Sequence, residues 1–186
     1  MSDSSTHNPG FKDRLISFLS RSRTVLIFGG SALLVAIIAA VIVAQVVSAR
    51  NDASIRAAER LQERWSEFDP SSEEAEDAET ELRDAITELI DEYPRTYGAL
   101  RARMILAELE WTQENWEAAE NAYMAVVNQH RQNHLTGPAL FSAAAAAEQR
   151  DNLDRARELY GMILDGAGDP TAEVPHALFN LGRIAE

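Results

Sequence analysis

Residues 24–49 run for 26 positions without a charged side chain and are closed at either end by Arg23 and Arg50. As a helix rising about 1.5 Å per residue, such a stretch is roughly 39 Å long, more than the ~30 Å hydrocarbon core of a bilayer. No other part of the chain is apolar enough to enclose it, so a single membrane-spanning helix is the first expectation. A secretory signal peptide is the competing reading, because Val47, Ser48 and Ala49 could form a small-residue cleavage site. The apolar region of a signal peptide, however, usually runs only about 7 to 15 residues, which favours an uncleaved anchor.

Charge is divided unevenly about this stretch. The first fifty residues carry Lys12, Arg14, Arg21, Arg23 and Arg50 against Asp3 and Asp13, a balance of +3, so the remainder carries −16 of the net −13. Basic residues ahead of an anchor favour a cytoplasmic N-terminus, although Arg56, Arg60 and Arg64 also follow it closely. Residues 1–23 are therefore expected to be a cytoplasmic basic segment, with Phe11, Leu15, Ile16, Phe18 and Leu19 forming an amphipathic lead-in. The acidic remainder would lie across the membrane. Its charge argues against nucleic acid as a partner, since phosphate contacts need a positive surface. The chain has no cysteine, which removes disulfides and thiol nucleophiles from consideration.

Beyond Arg50 the apolar positions recur every three or four residues and no segment alternates in twos, so the expectation is all-α. Ala58, Leu61, Trp65 and Phe68 mark a first helix, ended by Asp69 and Pro70. Ser71 with Glu74 has the spacing of a capping box for the next, whose apolar stripe is Leu82, Ile86, Leu89, Ile90 and Tyr93, stopped by Pro94. The following segments repeat. Ala107 and Ala144 each precede a second alanine by twelve residues, Ala119 and Ala156, and tyrosine follows four later, at Tyr123 and Tyr160. The period is 37 residues, and the turns Asn115-Trp116-Glu117 and Asn152-Leu153-Asp154 correspond.

This pattern resembles the tetratricopeptide repeat, W-x2-L-G-x2-Y followed by A-x3-F. Its places are filled by Arg103, Leu106, Ala107, Glu110, Ala119 and Tyr123, then by Leu140, Ala143, Ala144, Ala147, Ala156 and Tyr160. Small residues let the paired helices approach and the tyrosines fill the space between pairs. A third copy opens at Pro175 with Leu178, Leu181, Gly182 and Ala185, as either a terminal cap or the start of a continuing repeat. The expected architecture is an N-terminal transmembrane helix over 24–49, a helical neck and degenerate first repeat over 50–95, and an α-solenoid of tetratricopeptide-like pairs over 96–186. A generic antiparallel bundle is the plainer alternative.

In a solenoid of this kind the first helix of each pair lines the concave face. Outward spacing along those helices selects Arg101, Met104, Glu108 and Trp111, then Phe141, Ala145 and Glu148, then His176, Phe179 and Arg183. Aromatic and thioether surface edged by charge suits an extended or helical peptide, with Arg101 or Arg183 to receive a carboxylate. The competing reading makes Met104, Phe141 and Phe179 ordinary core. His130 and His134 have ligand spacing but no acidic neighbour at the usual place, and no nucleophile elbow or phosphate loop occurs, so neither a metal, a cofactor nor catalysis is expected.

The order of anchor, helical neck and repeats opening on Thr96-Tyr97-Gly98-Ala99-Leu100 is similar to the ancillary subunits of the bacterial Sec translocon. That resemblance implies an inner-membrane protein with its repeats in the periplasm, contacting the translocon and periplasmic folding factors. A scaffold for another envelope assembly, such as cell-wall synthesis or outer-membrane biogenesis, shares the same features, and an anchored enzyme or sensor is the third class.

Overall fold

The computed structural model describes residues 23–129, 133–167 and 172–185, with side chains from residue 27 onward. The amphipathic lead-in expected around Phe11, Leu15, Ile16, Phe18 and Leu19 lies outside the described residues, as do His7 and His130. Seven helices and no strand are found among the described residues: α1 (Arg23–Glu67), α2 (Ala75–Glu92), α3 (Tyr97–Thr112), α4 (Trp116–Gln129), α5 (Thr136–Gln149), α6 (Leu153–Leu164) and α7 (Val174–Ile184).

The chain divides into two units, Met1–Ser48 and Ala49–Glu186. In the first, the large apolar side chains of α1 stand open: Phe28 is 70% exposed, Val35 66% and Val43 61%. The window has a mean hydropathy of 2.7 and none of it is buried, which makes it a candidate membrane span. A water-soluble protein rarely leaves so large an apolar surface uncovered.

The second unit is a chain of helices in which each from α2 onward packs on its successor. Two cores hold it. Ala58 and Leu61 of α1, Leu82, Ile86 and Leu89 of α2, and Ala99, Ala102, Ile105 and Leu109 of α3 form one. Leu100 and Ala107 on the opposite side of α3 join Ala119, Tyr123 and Val126 of α4, the alanines of α5, and Leu159, Tyr160 and Ile163 of α6 in the other. Helix α3 therefore buries two faces, as an interior member of a stack must. The repeat positions lie fully inside: Ala107, Ala119, Ala144 and Ala156 have no exposed surface.

The 37-residue period reappears in the backbone. Glu114 and Asp151, 37 apart, end their helices in the left-handed region at φ of 58° and 56°. In both turns the next residue closes back five places, Asn115 N–H to the Glu110 carbonyl at 2.9 Å and Asn152 N–H to the Ala147 carbonyl at 3.0 Å. Two non-glycine residues adopting the same unusual conformation one period apart are strong structural support for a repeat.

Charged side chains tie successive helices together. Arg83 of α2 pairs with Glu110 of α3, and its Nη2 donates to Gln113 at 2.9 Å. Glu120 of α4, only 6% exposed, receives Arg150 at 3.0 Å and Arg155 at 2.8 Å. Burying a carboxylate is tolerable because two guanidinium groups replace the water it loses.

One expectation fails locally. Helix α2 begins at Ala75 with no side-chain cap. The Ser71 hydroxyl donates instead to Asp69 Oδ1 at 2.6 Å, and the Ser71 N–H donates to the same atom at 2.9 Å. The aspartate two residues earlier competes for the serine and builds a local turn, so the capping box does not form.

Candidate functional site

Where α1, α3, α4 and α5 meet, a cavity of about 400 Å³ opens to solvent, lined by the rings of Trp65, Trp111, Tyr123 and Phe141 together with Glu108, Thr112, Ser142 and Ala145. Each wall has a separate local cause. Trp111 and Glu108 lie three residues apart on α3 and so share a face. The Trp111 ring is held edge-on by Trp116 of α4, with centroids 4.9 Å apart. Phe141 is positioned by Tyr160 at 5.5 Å, and Trp65 by stacking on Phe68 at 5.8 Å. The rings of Trp65, Trp111 and Phe141 are thus each held by a ring outside the cavity.

Electrostatics in this cavity are governed by Glu108. Burial raises its carboxyl above the usual glutamate range, and the Trp65 indole, a donor, offsets part of that rise. Burial also pushes the Tyr123 phenol up to about 12, the Glu108 charge adding to the effect and the Ser142 hydroxyl working against it.

The surface continues in both directions. Towards α1, Glu108 also borders a smaller hollow of about 170 Å³ with Gln62, Tyr97, Arg101, Met104 and Leu135. Towards α7, the Phe141 ring faces His176 at 6.1 Å, and Glu148 accepts from the Tyr160 hydroxyl at 2.8 Å while pairing with Arg183.

The ten side chains selected from spacing are thus distributed as follows. Arg101, Met104, Glu108, Trp111, Phe141 and Ala145 line the two adjoining hollows and are half-buried. Glu148 is half-buried beside exposed Arg183, and His176 is exposed at the Phe141 ring. Phe179 stands 71% exposed on α7, away from both hollows. Arg183, offered as a carboxylate receiver, is occupied by Glu148 and Asn180, whereas Arg101 makes no ion pair among the described residues.

Trp65, Tyr123 and Ser142 were not among those ten. Trp65 reads as neck core because its helix precedes the recognisable repeats. Tyr123 reads as filler because it occupies the repeat's packing position, and it is 5% exposed while also lining the cavity. Of the two histidines with ligand spacing, His134 is placed: its Nε2 lies 3.1 Å from the Tyr97 hydroxyl.

A second cleft, about 480 Å³, lies between α1 and α2 and is lined by Arg56, Arg60, Arg64, Glu88, Glu92 and Tyr93. It carries both signs of charge and one ring, so it has less to distinguish one ligand from another.

Comparison with known proteins agrees with the helical-repeat geometry. A stretch of 85 residues, 46% of this chain, is 34% identical to a TPR repeat-containing protein of Treponema pallidum (strain Nichols). The matched stretch spans 35% of that protein's length, about a third of it. No family model matches the chain. No solved structure matches it either.

Proposed function

We propose that this chain is a membrane-anchored tetratricopeptide repeat adaptor that binds polypeptide along the surface running from Met104 through Glu108 and Phe141 to His176. The observation that carries the reading is the open, ring-walled cavity at Trp111 and Phe141, on helices whose alanines are otherwise fully buried. A stack closed for stability alone would fill that space with side chains. Similarity to a TPR repeat-containing protein supports the same reading, because such repeats present grooves to partner proteins.

The partner we favour is the export machinery of a bacterial inner membrane, with the repeats in the periplasm near the Sec translocon and its folding factors. The order of a candidate membrane span, a helical neck and repeats supports this. A scaffold for cell-wall synthesis or outer-membrane biogenesis would use the same groove with a different partner.

Site-specific photocrosslinking in intact cells separates these. Probes at Met104, Phe141 and Phe179 should yield adducts with translocon subunits, folding factors or exported chains. Adducts confined to wall or outer-membrane assembly proteins would replace the export reading with the second. Failure of the Met104 and Phe141 probes to capture any polypeptide would overturn the groove.

A further inference from the structure

Glu108 differs from the other sheltered glutamates of this unit. Glu110 faces Arg83, Glu120 faces Arg150 and Arg155, and Glu148 faces Arg183. Among the described residues Glu108 makes no ion pair, not even with Arg101, which borders the smaller hollow with it; in the larger cavity it shares the lining with the rings of Trp65, Trp111, Tyr123 and Phe141. A carboxylate drawn out of water with no counter-ion is costly, and at Glu110, Glu120 and Glu148 that cost is relieved with arginine. The four rings add a complementary feature. The faces of indole, phenol and phenyl rings carry negative potential and attract a cation within about 6 Å of their centroids, most of all a flat one that can stack.

We infer that the cavity is a receptor for an arginine side chain of the bound polypeptide, its guanidinium stacked among the rings and paired with the Glu108 carboxylate. The inference rests on the polypeptide-binding reading above and specifies its chemistry. The cavity volume of about 400 Å³ admits the whole side chain with adjoining backbone. Arginine is favoured over lysine because its guanidinium is more weakly hydrated and stacks on rings, whereas an ammonium must give up a tighter water shell. An acidic domain, carrying −16 beyond Arg50, draws cationic segments toward the groove before they dock. The raised carboxyl of Glu108 fits the same picture, since an arriving cation would return it to the ionised form.

The chain contains three tryptophans, of which two line the cavity and the third, Trp116, is edge-on to Trp111. Intrinsic fluorescence of the full-length protein in detergent therefore reports on this site. The probes are an acetylated and amidated leucine-flanked peptide with one central arginine, its lysine and citrulline counterparts, and free choline. The arginine peptide should bind at least about tenfold more tightly than the citrulline peptide, with lysine between them, and the difference should shrink as salt rises. In Glu108→Gln the arginine preference should vanish while citrulline binding is retained, and Trp111→Leu should weaken both.

Equal binding of the arginine and citrulline peptides would overturn the inference and leave the groove as a polypeptide site. An arginine preference that survives Glu108→Gln would also overturn it, as would choline binding more tightly than the arginine peptide. Absence of arginine-peptide binding up to millimolar concentration would overturn it too. Photocrosslinks from Phe141 to polypeptides decide the parent reading separately.

Discussion

At the scale of single residues, Glu108 links stability to ligand recognition. Because its folded carboxyl is raised above the ordinary 4.5, the native state holds the proton more tightly than the unfolded chain does. Its contribution is most favourable in acid and is lost as pH rises from that ordinary value through the raised one. Asp69 and Glu79, both lowered by hydrogen bonds, act in the opposite sense, so the wild-type curve alone does not isolate the effect. Urea unfolding of wild type and Glu108→Gln across this range should do so. The variant should be the more stable protein at neutral pH, and the gap should close in acid. Spacing alone places Glu108 on the outward face of its helix, since it lies four residues from Met104 and three from Trp111. That it lacks the arginine given to Glu110, two residues away, depends on which side chains α1, α2 and α5 bring near, and periodicity within α3 does not contain this.

Among elements, α1 and α3 approach closely at Gly98. A Cβ built on Gly98 would lie 2.2 Å from the Ser54 carbonyl oxygen and 2.5 Å from its carbonyl carbon, both backbone atoms that cannot rotate away. Gly98→Ala should therefore force α1 off α3, costing about 1 to 3 kcal/mol as overpacked sites do, with a lower thermal midpoint as the measurement. Within the sequence Gly98 is only one letter of a short stretch before a helix. Its role belongs to a helix some forty residues upstream, which explains why a local pattern could not assign it. The interhelical turns behave differently. Asp151 is left-handed at φ 56°, a conformation L residues adopt at a cost of roughly 1 kcal/mol. Replacement by glycine should leave stability unchanged or raise it by up to about 1 kcal/mol, whereas Asp151→Val should lower it by about 1 to 2 kcal/mol, a β-branched residue being least able to adopt that φ. Thermal unfolding of the pair checks the sign.

For the whole molecule, the proposed anchoring makes a prediction about which segments lie on which side of a bilayer. The chain has no cysteine of its own, so single cysteines report position without background. In intact spheroplasts Ser72→Cys should react with a membrane-impermeant maleimide, and Ser4→Cys only after lysis; the reverse pattern would reverse the proposed orientation. Much at this scale was determined by the sequence itself. A run of 26 uncharged residues can be stable as helix in lipid because backbone groups there must bond internally. A 37-residue recurrence of alanines and tyrosines favours helix pairs that stack, because each pair leaves a small-residue face needing a neighbour. Tertiary structure alone decided the rest. It set Trp65 from the neck opposite Trp111, Tyr123 and Phe141 of the repeats, provided arginines for Glu110, Glu120 and Glu148, and left Glu108 among rings. The physical reason is separation along the chain. Helical periodicity specifies which face of one element turns inward, but a binding cavity is formed by side chains from several elements, and its contents depend on how those elements pack.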